Sequence, residues 1–135
     1  MSPASAAFLE RHAKLLRALG RFGDVLAKQP RPGDDLADAA IQRFEFSFET
    51  FWRVLRAALE TEGVDSPSPR AALRGAYAAG WIEDEALWLG MLRARNLTSR
   101  TYDAETAQTV LKDLPAYHAA MRAAAEALPG RLTPD

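Results

Sequence analysis

Between positions 41 and 59 the chain places Ile41, Phe44, Phe48, Phe51, Trp52, Leu55 and Leu59 three or four residues apart. An α-helix returns a side chain to the same side about every 3.6 residues, whereas a strand does so every second residue, so this run is a helix. One helix cannot hide so apolar a face by itself, and the remaining segments must pack against it. The same period recurs from Ser5 to Lys28, at Phe8, Leu15, Leu19, Phe22 and Leu26. It returns from near Asp103 onward, at Val110, Leu111, Leu114, Tyr117, Met121 and Leu128. No stretch alternates apolar and polar residues for long enough to suggest a strand.

Helix breakers divide these runs. "KQPRPGDD" stops the first helix, and Asp34 or Asp35 is placed to cap the second, which is expected to reach Glu62. After "GVDSPSPR", Ser68 reads as an N-cap and Pro69 as the first helical position of a short third helix. That helix carries Leu73 and Tyr77 on its apolar side and ends at Gly80. Acidic Glu83, Asp84 and Glu85 open the fourth, where negative charge suits the positive end of the helix dipole, and it reaches about Ser99. The fifth is expected to end at Pro129 and Gly130, with Pro115 kinking or breaking it by removing a backbone donor. The expected fold is all-α: an up-and-down antiparallel bundle of four long helices plus one short helix. It forms a single domain over 1–135, with its core at about 5–128.

Composition then narrows the chemistry. A chain of 135 residues can bury a core without staples, and the absence of cysteine excludes disulfides, thiolate zinc sites and cysteine nucleophiles. His12 and His118 are the only imidazoles, too few for a multi-histidine metal site in one chain. Neither a metal nor a cofactor is expected. The formal net charge of -1 gives no overall attraction to nucleic acid but permits a local basic patch. No apolar run approaches the ~18 residues of a membrane span and no signal-peptide core opens the chain, so a cytoplasmic protein is expected. Phosphate loops, hydrolase elbows and catalytic triads are absent from the sequence.

The informative residues are polar ones set on apolar stripes. Arg95 and Asn96 share a helical face with Trp88, Leu89 and Leu92. In the plainest reading the stripe ends there, and Arg95 gains about a few tenths of a kcal/mol from the helix C-terminus. Glu45 is flanked at helical spacing by Ile41, Phe48 and Trp52. A buried carboxylate needs a partner, and a guanidinium fork is the best available. Glu45 therefore either reaches water at the stripe's edge or holds Arg95 or Arg100 across the second and fourth helices. A blander arrangement pairs the arginines with Glu45 and Glu49. His12 and His118 read as satisfied core histidines, and Trp52 and Trp88, although able to stack on a base, as core. The acidic run at 83–85 could offer oxygen ligands to a metal but reads better as a helix start.

Taken whole, "WLGML" followed by "RNLTSRTYD" resembles the signature of the HEPN superfamily, in particular the small HepT-like proteins described as nucleotidyltransferase substrate-binding subunits. Arg95 matches the motif arginine, Asn96 its polar neighbour and Tyr102 the tyrosine that follows. "IQRFEFSFETFWRVLR" is similar to the subfamily's phenylalanine-glutamate and tryptophan-basic pattern, with Phe44, Glu45, Trp52 and Arg53 at the matching places. The resemblance spans roughly residues 5 to 128. It implies an all-helical homodimer whose motifs meet in a cleft, and metal-independent ribonuclease activity of a toxin-antitoxin kind. It also implies a partner, a minimal nucleotidyltransferase that neutralises the toxin by adding AMP to the motif tyrosine. An older interpretation makes the helical protein the substrate-binding half of that pair.

This chain departs from the pattern at one place. Where the family has its histidine, position 100 is arginine. Histidine titrates near neutral pH and can pass protons, whereas arginine stays protonated and can only hold an anion. Loss of a general acid or base costs on the order of 10²- to 10⁴-fold in rate. The expected function is thus a HEPN-type subunit that pairs with a minimal nucleotidyltransferase and has weakened or lost ribonuclease activity, with RNA or a nucleotide in the dimer cleft. The alternative is an active ribonuclease toxin neutralised at Tyr102. In either case Arg95 is the expected phosphate anchor, Asn96 an orienting group, Arg100 a second cation, Tyr102 the nucleotide acceptor and Glu45 their support.

Overall fold

The computed structural model describes residues 3–100 and 103–132, with side chains from position 6 onward. These residues form five helices, α1 (Pro3–Ala27), α2 (Asp35–Thr61), α3 (Pro69–Ala78), α4 (Glu85–Arg100) and α5 (Ala104–Arg131), and no strand is found among them. The chain is an all-α bundle. Four starts are capped by side chains accepting an orphan backbone N–H: Asp34 from Ala37 at 2.7 Å, Ser68 from Ala71 at 3.1 Å, Asp84 from Leu87 at 3.2 Å and Asp103 from Thr106 at 2.7 Å. Asp34 and Ser68 thus cap as their sequence contexts predict.

α2 packs against all four other helices. The Phe44 ring lies 6.2 Å from Phe22 of α1 and stacks on Tyr117 of α5 at 5.6 Å, while Phe51 meets Trp88 of α4 at 4.9 Å. Against α3 the fit is backbone-close, since a Cβ on Gly75 would come 2.9 Å from Leu59 Cδ1. The stripe predicted for α2 is buried at every position from Ile41 to Leu59.

Three local expectations are corrected: the burial of Tyr77, the start of α4 and the end of α5. Leu73 is buried as expected, but Tyr77 is 48% exposed and Ala72 and Ala76 face the core in its place, because α3 lies on α2 through the Gly75 side. α4 begins at Glu85, and Glu83 stays outside it. Asp84 holds a left-handed φ of 56° and its carboxylate accepts from the Leu87 N–H at 3.2 Å, a strained turn residue that starts the helix. α5 is helical through Pro115, Pro129 and Gly130 as far as Arg131. Both prolines are exposed, and the carbonyl four residues before Pro129, that of buried Ala125, takes its hydrogen bond from His12 Nε2 at 2.6 Å instead. The Arg131 guanidinium also donates to the Gly80 carbonyl at 2.7 Å, tying the last turn to the α3–α4 connection. That connection buries Trp81 and Ile82. Among the described residues no helix is long and apolar enough to cross a membrane.

Phe44 joins three helices, so Phe44→Ala should lower the unfolding free energy by about 3–5 kcal/mol, read from denaturant midpoints. A loss below about 1 kcal/mol would mean that the core does not depend on this ring.

Candidate functional site

Where α4 crosses the edge of α2, apolar packing gives way to a polar seam. Its α2 side is Glu45 and Glu49, four residues apart and therefore stacked on one helical edge. Its α4 side is Arg95, Asn96, Thr98 and Ser99. Arg95 Nη2 donates to Glu49 Oε2 at 2.6 Å, with the two side chains 27% and 31% exposed. Its Nη1 donates to Asn96 Oδ1 at 3.1 Å, so the asparagine fixes the plane of the guanidinium. The other oxygen of Glu49 accepts from Arg53 Nε at 3.2 Å and Nη2 at 3.0 Å. One carboxylate therefore carries two guanidinium groups.

Glu45 behaves differently. Thr98 Oγ1 lies 2.8 Å from Glu45 Oε2 and 3.1 Å from the Arg95 carbonyl; Ser99 Oγ lies 3.3 Å and 2.9 Å from the same two oxygens. Each hydroxyl has one proton. The shorter contacts assign the Thr98 proton to Glu45 and the Ser99 proton to the Arg95 carbonyl. Glu45 is half-buried and braced by hydroxyls, and the arginine expected on it is held one helical turn along by Glu49.

The remaining candidates are spread out. Arg100 is exposed at the last turn of α4 and makes no ion pair among the described residues. Five residues beyond Arg95, it points about 140° away around the helix. Tyr102 lies outside the described residues. Neither histidine joins the seam. His12 is buried and its Nε2–H donates to the Ala125 carbonyl at 2.6 Å. His118 donates to the Leu19 carbonyl at 3.0 Å and meets Phe22 edge-on, in space left by Gly23, where a Cβ would sit 2.9 Å from its Nε2. Both imidazoles bind α1 to α5. No group of three or more residues able to hold a metal ion occurs among the described residues.

A sequence profile described as "Nucleotidyltransferase substrate binding protein like" matches residues 10–129. The chain belongs to this family. One relative, from Haemophilus influenzae (strain ATCC 51907 / DSM 11121 / KW20 / Rd), is named "Probable ribonuclease HepT". It is 34% identical over 82 residues, which are 57% of this chain and 56% of that protein. The match thus spans little more than half of the relative's length. A crystal structure of a Thermus thermophilus protein superposes with a TM-score of 0.77 at 37% identity, covering 84% of this chain and 98% of the other.

The sequence offers Glu49 only as one of two carboxylates able to pair the arginines, and it gives Thr98 and Ser99 no role. Thr98 lies on the buried stripe of α4 with Trp88 and Met91, and its polarity there is the available clue. Glu49 has only its position four residues after Glu45 to mark it. Burial pushes the Glu49 carboxyl up. The Trp52 indole N–H, near Glu49 without completing a hydrogen bond, the Arg53 hydrogen bond and the charges of Arg95 and Arg53 more than offset this. Together they hold the carboxyl below its ordinary value.

A carboxyl depressed in the folded state adds stability above its unfolded pKa, and that stability is lost as pH falls through the folded value. Glu49→Gln should therefore cost on the order of 1 kcal/mol or less at pH 7, because the pair is partly in water. The gap from the unmodified chain should close as pH drops below about 4.3, the ordinary glutamate value. Thermal unfolding of both proteins across that range tests this, and a gap indifferent to pH would remove Glu49 from the argument.

Proposed function

We propose that this chain is the helical partner of a minimal nucleotidyltransferase, a homodimer in which Arg95 and Asn96 form an anion seat and ribonuclease activity is weak or lost. The family description supports a nucleotidyltransferase context. The observation that carries the weakened activity is the absence of an imidazole from the seam's described residues. Arg95 is ion-paired, Arg100 is a guanidinium and so a donor only, and both imidazoles are committed to carbonyls between α1 and α5. Such a seat can hold a phosphate through a guanidinium, but its carboxylates are occupied, Glu45 by Thr98 and Glu49 by Arg53 and Arg95, and no imidazole is there to take a proton from a 2'-hydroxyl. In this reading Tyr102, two positions after Arg100 in the sequence, is the residue offered to the partner for nucleotide transfer, and Glu45 and Glu49 set the position of α4.

A second reading is an active ribonuclease toxin, and the name of the Haemophilus relative favours it. Guanidinium groups alone can stabilise a phosphorane-like transition state, with water moving the proton.

An RNA-cleavage time course on the purified chain, Arg95→Ala and Arg100→His separates the two. The proposal expects no cleavage above blank from the unmodified chain and a gain on the order of 10²-fold or more in Arg100→His. It also expects a stable complex with a nucleotidyltransferase encoded beside this chain. Cleavage by the unmodified chain that Arg95→Ala abolishes and Arg100→His does not raise would establish the second reading.

A further inference from the structure

On the other side of Glu49 from α4, the solvent edge of α2 runs beside α1, and cations collect there. Two adjoining grooves of about 410 and 330 Å³ share Arg11 and Arg53 in their walls. Arg56 completes one and Lys14 the other. The carboxylates present are already engaged: Glu60 by Arg56 at 3.4 Å, and Glu49 by both Arg53 and Arg95. Arg11 and Lys14 have no carboxylate partner among the described residues, so the grooves keep a net positive charge although the chain as a whole carries -1.

Two aromatic rings belong to the same surface. Phe46 lies off the apolar stripe of α2 and is 48% exposed, with Lys14 Nζ 5.7 Å from its ring centre. Trp52 lines the groove under the Arg53 guanidinium, 5.9 Å away. Cations flanking an exposed ring are what a flexible strand of phosphates and bases requires, because every base has a π-face and every linkage a charge. From position 46 to position 56 is ten residues, about 15 Å of helix, which fits about four nucleotides at the ~3.4 Å stacked spacing. A second copy packed symmetrically on this face would set like charges opposite one another.

We propose that the α1–α2 groove, with Arg11, Lys14, Arg53 and Arg56 as phosphate contacts and Phe46 as a stacking platform, binds a single-stranded polynucleotide. This site is additional to the Arg95 seat and adjoins it at Glu49 and Arg53, so a strand lying in the groove leads toward the seat. It deepens the anion-seat reading but does not require that cleavage occur.

Fluorescence anisotropy with labelled oligo(U), oligo(dT) and a duplex of equal length tests it, using the full chain, the double variant Arg11→Ala with Lys14→Ala, Phe46→Ala and Arg95→Ala. These groove positions are exposed, and circular dichroism confirms that each variant is folded. Both single strands should bind more tightly than the duplex. The double variant should weaken binding about tenfold and flatten the slope of log affinity against log salt by about 1.4, at ~0.7 per phosphate contact. Phe46→Ala should weaken binding with the salt slope unchanged. Binding of oligo(U) alone would support the proposal and add that the 2'-hydroxyl is read. No binding of either strand, or equal competition by polyglutamate, overturns it, the latter marking a docking face for acidic protein. Binding that survives the double variant and disappears in Arg95→Ala also overturns it while leaving the Arg95 seat intact. Conversely, groove binding together with a cleavage-silent Arg100→His would retain the groove and sink the seat.

Discussion

The fold depends on burying one face of α2. With no disulfide and no cysteine to form one, the chain is held together by apolar contact, and α2 is the helix that every other element touches. Phe44 and Phe51 reach three neighbours between them, and Leu59 lies against a fourth through the gap at Gly75. Burying aromatic side chains of this size supplies the largest favourable terms a small domain has. Because that face is fully used, the opposite edge of α2 stays at the surface. Glu45, Phe46, Glu49 and Arg53 all lie along it.

This geometry explains why the polar residues gather where they do. α4 crosses α2 at the border between its buried and exposed edges, so side chains of its last turns are half in water. A half-buried guanidinium needs a carboxylate to offset the hydration it loses, and Glu49 meets it at 2.6 Å. Full burial would have imposed a desolvation cost that one ion pair seldom offsets. Full exposure would have left the guanidinium screened and mobile. The intermediate depth keeps Arg95 oriented by Asn96 and Glu49 yet accessible to an anion, which is the property a phosphate seat needs. The histidines lie elsewhere for an equally physical reason: each has a main-chain carbonyl within reach between α1 and α5, and a buried imidazole takes the hydrogen bond available to it.

Much of the helical architecture was legible from spacing. The stripes of α1, α2 and α5, the caps at Asp34 and Ser68 and the break before α3 all follow from local rules that do not depend on the rest of the chain. Local rules were weakest at the ends. Pro129 and Gly130 signal a stop, yet α5 runs on to Arg131, whose contact with Gly80 comes from a segment some fifty residues away. Tyr77 sat at a core-facing spacing, but the approach of α3 to α2 is set by Gly75 and turns the tyrosine outward.

The sequence by itself determined that the chain is helical, that α2 carries the dominant apolar face, and that the stretch holding Arg95, Asn96 and Tyr102 resembles a family motif with arginine in place of histidine. These follow from period and residue identity, which are properties of a one-dimensional string. Which carboxylate meets which cation was decided only in three dimensions. Glu45 and Glu49 are one helical turn apart and chemically equivalent in the sequence, so either could have taken Arg95. The register at which α4 crosses α2 put Glu49 on the guanidinium and Glu45 on the Thr98 hydroxyl. The basic groove arose in the same way: Arg11 and Lys14 on one helix, Arg53 and Arg56 on the next, form a single field only because α1 and α2 pack side by side.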